Sequence, residues 1–412
     1  MSCSVPESIR TYPYLSVCGV EIELMIVDPA SLYPVPLAKR LLDRADPASG
    51  GSGVGLSNEL VQHVLEIKAD PPAESPWKAR REILDVWEHL VFLAETEGCR
   101  FLGTGMHPWF DPSADTRLWE WEGAEIYRWY HDMFDCYRHG WANLQSVHLN
   151  IPFQTDLEFS VLHAVIRALL PLLPGLCSST PFIDGSVSGL LDTRLDTYGS
   201  NQKAYPDITG DIIPEPLFSE SEYAAGVFSP LDSVISELKG TGNIESQWLN
   251  SRGAIARFDR GSIEIRLMDT QECLDADLAF AEVVFRTAVY LCRNRPELHA
   301  GLRGLPTGML RNILDGGIAA GDASIVAEPQ YLASLGYPGK QAGMREIWEY
   351  LYRLCEDGLP PEAGRMFELY LDRGCLAGAV LKACRGDYSR QRITEVYRTL
   401  SGCEHENRPF VP

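Results

Sequence analysis

Positive charge is scarce in this chain of 412 residues: 36 Lys and Arg stand against 57 Asp and Glu, a formal net charge of −21. A surface of that sign repels phosphate backbones and anionic lipid heads, which excludes nucleic acid and charged membranes as general partners. A phosphate-bearing ligand must then be met by a local cluster of cations or metal ions. Long apolar runs are lacking as well. The most apolar stretch, residues 163–177, is interrupted by Arg167, Pro171 and Pro174, short of the roughly 20 apolar residues that cross a bilayer, so no membrane span is expected. The opening Met-Ser-Cys-Ser-Val-Pro-Glu has no basic and apolar leader, and the closing Asn-Arg-Pro-Phe-Val-Pro has no prenylation box, so a cytoplasmic location is the expectation. The 11 cysteines, scattered from Cys3 to Cys403, include no Cys-x-x-Cys pair, which argues against a zinc or redox framework, and their odd number argues against a full disulfide set. Most are expected to be reduced core residues. P-loop and dinucleotide fingerprints, internal repeats and low-complexity tracts are also absent.

What is present is an ordinary globular balance, 45% hydrophobic and 23% charged. Two Gly-rich stretches, 49–55 and 316–321, read as loops, the second as a lobe boundary. Beyond it, residues 344–355, 362–375 and 388–400 carry apolar positions at helical spacing, and 274–293 reads as a helix opened by Asp275 and Asp277.

Four segments alternate as strands. In residues 18–26, Cys18, Val20, Ile22, Leu24 and Ile26 face a core, which puts Glu21 and Glu23 together on the opposite face. In 146–151, Val147, Leu149 and Ile151 point one way and Ser146, His148 and Asn150 the other. In 262–267, Glu264 and Arg266 share the polar side, and in 64–68 Glu66 takes the same position between Leu65 and Ile67. One Glu-x-Glu strand by itself is more often a solvated sheet face. Here Glu21, Glu23, Glu66 and Glu264 recur at polar positions with little cation beside them, and such a face needs cations. Hard carboxylates with one imidazole suit magnesium or manganese rather than zinc or copper. An acidic metal-binding sheet is one way for an acidic protein to hold ATP, with Arg266 placed to reach its phosphates.

The segments Gly19-Val20-Glu21-Ile22-Glu23, the Glu59 and Glu66 pair, Gly105-Met106-His107-Pro108, the strand around His148, Ser178-Ser179-Thr180-Pro181-Phe182 and Gly261 through Asp269 resemble, in the same order, the type 2 glutamate-cysteine ligase family of bacterial carboxylate-amine ligases. The resemblance implies an α+β, glutamine-synthetase-like catalytic fold: an antiparallel sheet curved into a half-funnel with helices outside. It implies one catalytic domain over residues 1–412, sheet-rich over about 11–300 and mostly helical over about 301–412. Carried over, Glu21, Glu23, Glu59, Glu66, His148 and Glu264 match metal positions, and Glu264 and Arg266 match catalytic positions. Arg266 matches the arginine at the ATP phosphates, where Arg257 and Arg260 are further candidates. Ser179 and Arg194 lie in a segment similar to a substrate loop; Arg194 is read equally as a surface partner of Asp192 or Asp196. Two departures stand out: Ser146 occupies the place of a family histidine, and Thr180 that of a serine.

The activity implied is ATP- and magnesium-dependent joining of glutamate, or an analogue, to an amine through an acyl phosphate, with cysteine as the amine implied by the family name alone. The expected partners are small molecules, compatible with a homodimer. Two alternatives stay open: a phosphotransferase on a guanidino or carboxyl group, and a weakly catalytic nucleotide- or metal-binding regulatory protein. His107 reads as structural, and the aromatic run Trp119, Trp121, Tyr127, Trp129, Tyr130, Phe134, Tyr137 and Trp141 as core packing in preference to an acceptor or adenine pocket.

Overall fold

The alternating stretch 18–26 folds into β1 (Gly19–Val27). In the computed structural model, which describes residues 12–49, 53–238 and 244–412, β1 lies inside a seven-stranded sheet. Its other strands are β2 (Val54–Asn58), β3 (Val64–Ala69), β4 (Arg100–Leu102), β5 (Ser146–Pro152), β8 (Ala254–Arg257) and β9 (Ser262–Asp269); β6 (Phe182–Ile183) and β7 (Ser186–Val187) make a separate ribbon. The order is β2-β3-β1-β5-β9-β8, every pair antiparallel, with β4 beside the end of β1. The opening segment with Cys3, and residues 50–52 of the expected loop 49–55, lie outside the described residues.

Val20, Ile22, Leu24, Leu65, Ile67, Val147, Leu149, Ile263 and Ile265 are all buried on one sheet face, each contributing about 1.5–3 kcal/mol of transfer free energy. The helices Arg80–Thr96, Asp156–Leu169 and Leu274–Asn294 pack against that face or against each other behind it. The opposite face changes character along β1. Glu21 and Glu23 are followed at the same parity by Met25 and Val27, which pack on Leu376, Val380, Ile393, Val396 and Leu400. The C-terminal helices Leu376–Cys384 and Arg390–His405 therefore cover the apolar end of this face and leave its acidic end open.

The helix at 344–355 forms with the expected bounds, and the expected 362–375 helix forms over Pro361–Arg373 and ends at Gly374 with φ +85°. The expected loop and boundary at 316–321 is a correction. Residues Thr307–Ala320 are helical, and Gly316 and Gly317 are contact points: a Cβ on Gly317 would sit 3.1 Å from Met344, and one on Gly316 2.9 Å from Ser324 Oγ. Close helix approach, not chain reversal, selects these glycines, and only Gly321, with φ +55°, turns the chain. One apolar cluster runs from Leu15 to Ala377 with no break there.

The stretch Asp156–Cys177 is helical over 22 residues, long and apolar enough by length and composition to span a membrane despite its prolines, yet it is buried inside the protein. Pro171 and Pro174 stand in the first turns of successive helical pieces, where their missing N–H costs nothing. All ten described cysteines are free, and all but Cys355 are buried.

Candidate active site

The strand register sets the acids side by side. Glu21 lies opposite His148 across β1 and β5, Glu23 opposite Glu66 across β1 and β3, and Asn150 opposite Glu264 across β5 and β9. The β5–β9 register slips by one residue around His148, so that Arg266 and Leu267 of β9 together oppose it. That bulge bends β9 locally where it carries Arg266.

Neighbouring side chains hold the acids in place. Glu21 receives Asn150 Nδ2 at 3.1 Å and faces His148 Nδ1 at 3.4 Å. Burial works to raise the Glu21 pKa, but the hydrogen bond and charge of His148, with Lys68 and Arg266, outweigh it and hold it at about 2. His148 is raised in turn, burial being overcome by Glu21 and Glu23. Ser146, standing where the resemblance expects histidine, donates its N–H (2.7 Å) and its hydroxyl (3.0 Å) to Glu23 Oε2 and sits 2.9 Å from His148 Nε2. One hydroxyl thus links the acid to the imidazole. Glu264 Oε1 accepts from Arg266 Nε at 2.6 Å; its burial is offset by Arg266 and His148, which keep the carboxylate below its usual range. Arg266 is raised, burial being overcome chiefly by Glu264.

The acidic face has more cation than the sequence reading allowed. Lys68 Nζ donates to Glu66 Oε1 at 3.0 Å and to Ser57 Oγ at 3.2 Å, and Ser57 Oγ donates to the same carboxylate oxygen at 2.6 Å. Even so, burial and then Glu21 push Glu66 upward. Glu59, on the turn after β2, is half-buried, and burial followed by Glu23, Glu66 and Glu21 drives its pKa well above the normal range.

Two cavities meet at this row. The larger, about 550 Å³, is bordered by Gly19, Glu21, Lys68, Asn150, Arg260 and Ser262; the smaller, about 220 Å³, by Glu23, Glu59, His148, Arg194 and Arg266 with Tyr127, Tyr130, Trp141 and Tyr198. The facing pair Glu21 and His148 divides them. The aromatic run is therefore split. Trp119, Trp129 and Phe134 are core residues, Trp121 and Tyr137 are exposed, and Tyr127, Tyr130 and Trp141 pack on the core and also wall the smaller cavity. Arg257 Nη2 is bound to Asp259 at 2.9 Å with Nη1 3.8 Å from Glu264, while Arg260 is exposed at the rim of the larger cavity. Ser179 and Arg194 are buried and bonded to Asp269. His107 is buried with Nε2 2.7 Å from Leu32 O, and burial lowers its pKa to about 3, as a structural histidine requires. The sequence places Ser146 and Asn150 on the polar side of their strand without giving them a role, and it misses Ser57 and Lys68, which share the polar parity of β2 and β3. Tyr198 arrives on the helix Thr193–Ser200, and no strand pattern points to it.

Ligand atoms of Glu21, Glu66 and His148 lie within 4.8 Å of one another. Ligands around one divalent ion at about 2.0–2.6 Å stand at such separations, and the donor set of two carboxylates and an imidazole fits magnesium or manganese. Manganese should therefore bind the isolated protein, as read by electron paramagnetic resonance, and Glu66→Gln should weaken binding by about tenfold or more. Chelation should release the ion with the far-ultraviolet circular dichroism unchanged, because the ligands stand on a sheet whose other face has its own core. Loss of secondary structure on chelation would contradict this placement.

The profile of glutamate-cysteine ligase family 2 (GCS2) matches residues 17–297. A protein of Archaeoglobus fulgidus without a functional name is 31% identical over 399 residues, covering 95% of this chain and 100% of its own. A protein of Gloeobacter violaceus assigned by name to glutamate–cysteine ligase 2 is 26% identical, covering 75% of this chain and 76% of its own. Among solved structures, a glutamate–cysteine ligase of Francisella tularensis, determined with AMP, superposes with a TM-score of 0.62 at 13% identity, covering 95% of this chain and 90% of that one. A bifunctional glutathione synthetase of Pasteurella multocida gives 0.52 at 12% identity, covering 93% and 52%. These likenesses show a shared fold of helices around an antiparallel sheet. The extent of the profile match settles the membership: this chain belongs to glutamate-cysteine ligase family 2.

Proposed function

We propose that the protein is an ATP-dependent carboxylate-amine ligase that activates the side-chain carboxylate of glutamate or a close analogue. The observation that carries this reading is the row Glu21, Glu66 and His148, flanked by Glu264 and Arg266, at the junction of two cavities. Family membership supports the reaction type. The larger cavity, bordered by Lys68 and Arg260, takes the nucleotide, and the smaller takes the acid. Glu21, Glu66 and His148, with Glu23, Glu59 and Glu264 around them, hold the divalent ions; when bound, these neutralise phosphate charge. Arg266 faces the terminal phosphoryl group as its charge spreads. A carboxylate oxygen attacks the terminal phosphorus and ADP leaves. An amine nitrogen then attacks the acyl carbon, loses its proton to solvent, and phosphate departs with that carboxylate oxygen. No protein nucleophile is required.

The test is to incubate the protein with ATP, magnesium and a panel of acids, glutamate first, with hydroxylamine as a small nucleophile that needs no acceptor pocket. Hydroxamate should form only when ATP, metal and the right acid are together. Phosphorylated acid or guanidine with no amide from any amine would instead favour a phosphotransferase. Nucleotide binding without turnover on any acid would overturn the catalytic reading. Cysteine as the physiological amine follows from the family name, and mass analysis of amides from a panel of amines tests it.

A further inference from the structure

Ser179 and Arg194, expected on a substrate loop, turn inward, with Arg194 still bordering the smaller cavity. Asp269 closes β9 three residues after Arg266 and is fully buried. Its Oδ2 accepts from Ser179 N at 2.9 Å, Ser179 Oγ at 3.0 Å and Thr180 Oγ1 at 3.2 Å, and its Oδ1 accepts from Arg194 Nε at 2.6 Å. Thr180 Oγ1 in turn accepts from Arg194 N at 3.1 Å, so the residue that departs from the family serine closes the ring. Gly105 completes it. Its N–H donates to Ser179 Oγ at 2.8 Å, and a Cβ there would lie 2.6 Å from Asp269 Cγ.

Arg194 Nη2 leaves this ring and donates to two backbone carbonyls, Met268 O at 2.9 Å and Arg266 O at 3.2 Å. These carbonyls flank Leu267, at the bulge where β9 slips against His148. A bulge is the weak point of a ladder, and a guanidinium that bonds the carbonyls on either side fixes its local geometry. The ion pair that anchors this guanidinium has side chains 2% and 0% exposed. Buried pairs of this kind are poor sources of stability compared with apolar packing, and a specific geometry is the better reason to keep one.

We propose that Asp269, Arg194, Ser179 and Thr180 are positioning residues that lock the β9 bulge and so aim Arg266. In consequence the Ser-Ser-Thr segment acts on the reaction through Arg266, without touching the acid. The kinetic consequence rests on the ligase reading; the effect on nucleotide binding does not.

Asp269→Asn and Arg194→Lys test the hub, with Ser179→Ala as a milder variant that removes one hydroxyl. For a group that acts on the phosphoryl group and not on the acid, kcat for hydroxamate falls while KM for the acid holds. The fall expected is about 30-fold or more in the first two variants and roughly threefold in Ser179→Ala, with KM within about threefold throughout. The preference for ATP over ADP in manganese-supported binding should drop to that of Arg266→Lys, and Asp269→Asn placed on Arg266→Lys should add little further loss, because the two act through one group. A tenfold rise in KM with kcat kept would overturn the proposal by making Arg194 a ligand of the acid. Unchanged kcat and unchanged ATP preference would reduce the ring to fold maintenance. If the unsubstituted protein forms no hydroxamate with any acid, the ligase reading fails, and the ATP-over-ADP preference of the same variants still decides the hub.

Discussion

Glu264→Gln is expected to lower ADP release in the presence of the acid by roughly 10²–10³-fold, the range seen when one preorganised electrostatic partner is removed from a reacting charge. The substitution changes almost no volume. It removes a carboxylate that lies among His148, Arg266 and the carboxylate of Glu21, and it frees the guanidinium now held at 2.6 Å. Both effects act on the phosphoryl group: a cation-binding charge is lost, and Arg266 gains rotational freedom. Stability should change little, because the Arg266 side chain is 33% exposed and water can replace its partner. Thermal melting and turnover, measured on the same preparation, check the two halves. Full turnover would remove Glu264 from the mechanism, and a protein that no longer folds would make its role structural.

Arg266→Lys should be damaged still more, on the order of 10³-fold in kcat, the lower end of what a transition-state arginine contributes in phosphoryl transfer. Lysine keeps the charge but not the planar fork, so it cannot hold Glu264 with one edge and meet phosphate oxygens with the other. Binding of ADP should be nearly unchanged, whereas binding of ATP should weaken. Near-normal turnover in single-cycle kinetics would relegate Arg266 to holding Glu264 alone.

The sheet and much of its acidic row were legible because β-strand parity is strict: once Val20, Ile22 and Leu24 are inside, Glu21 and Glu23 have no choice of face. The same rule sets Ser146 and Asn150 on that side, and it extends to Lys68, since parity marks a position whatever its chemistry. At Ser146 the resemblance points only to an absent histidine, and the serine's own bonds to Glu23 exist only across the folded sheet. Parity also could not say which neighbours a residue meets across the fold. Arg194 reads equally as a substrate ligand and as a surface partner of Asp192 or Asp196, and only tertiary structure brings Asp269 to its Nε. Glycine misled in the other direction. At 316–321 it signalled a loop, while the chain uses its small size to bring the Thr307–Ala320 helix against Met344 and Pro174. Tyr127 and Trp141 were read as core and are half right: a side chain at a cavity wall has one apolar and one open side, and helical spacing sees only the first.

The central claim is that a carboxylate is phosphorylated before any amine reacts, and oxygen transfer measures it most directly. Glutamate labelled with oxygen-18 in its side-chain carboxylate, or whichever acid supports hydroxamate formation, would be turned over with ATP, magnesium and an accepted amine. The released phosphate would then be examined by phosphorus-31 resonance, where each oxygen-18 shifts the line. An ionised carboxylate is a poor electrophile with a poor leaving group, and only attack of its own oxygen on phosphorus supplies a good one. The account predicts one labelled oxygen in every phosphate formed with amide. Amide formed with all label kept in the organic products, and none in phosphate, would contradict it.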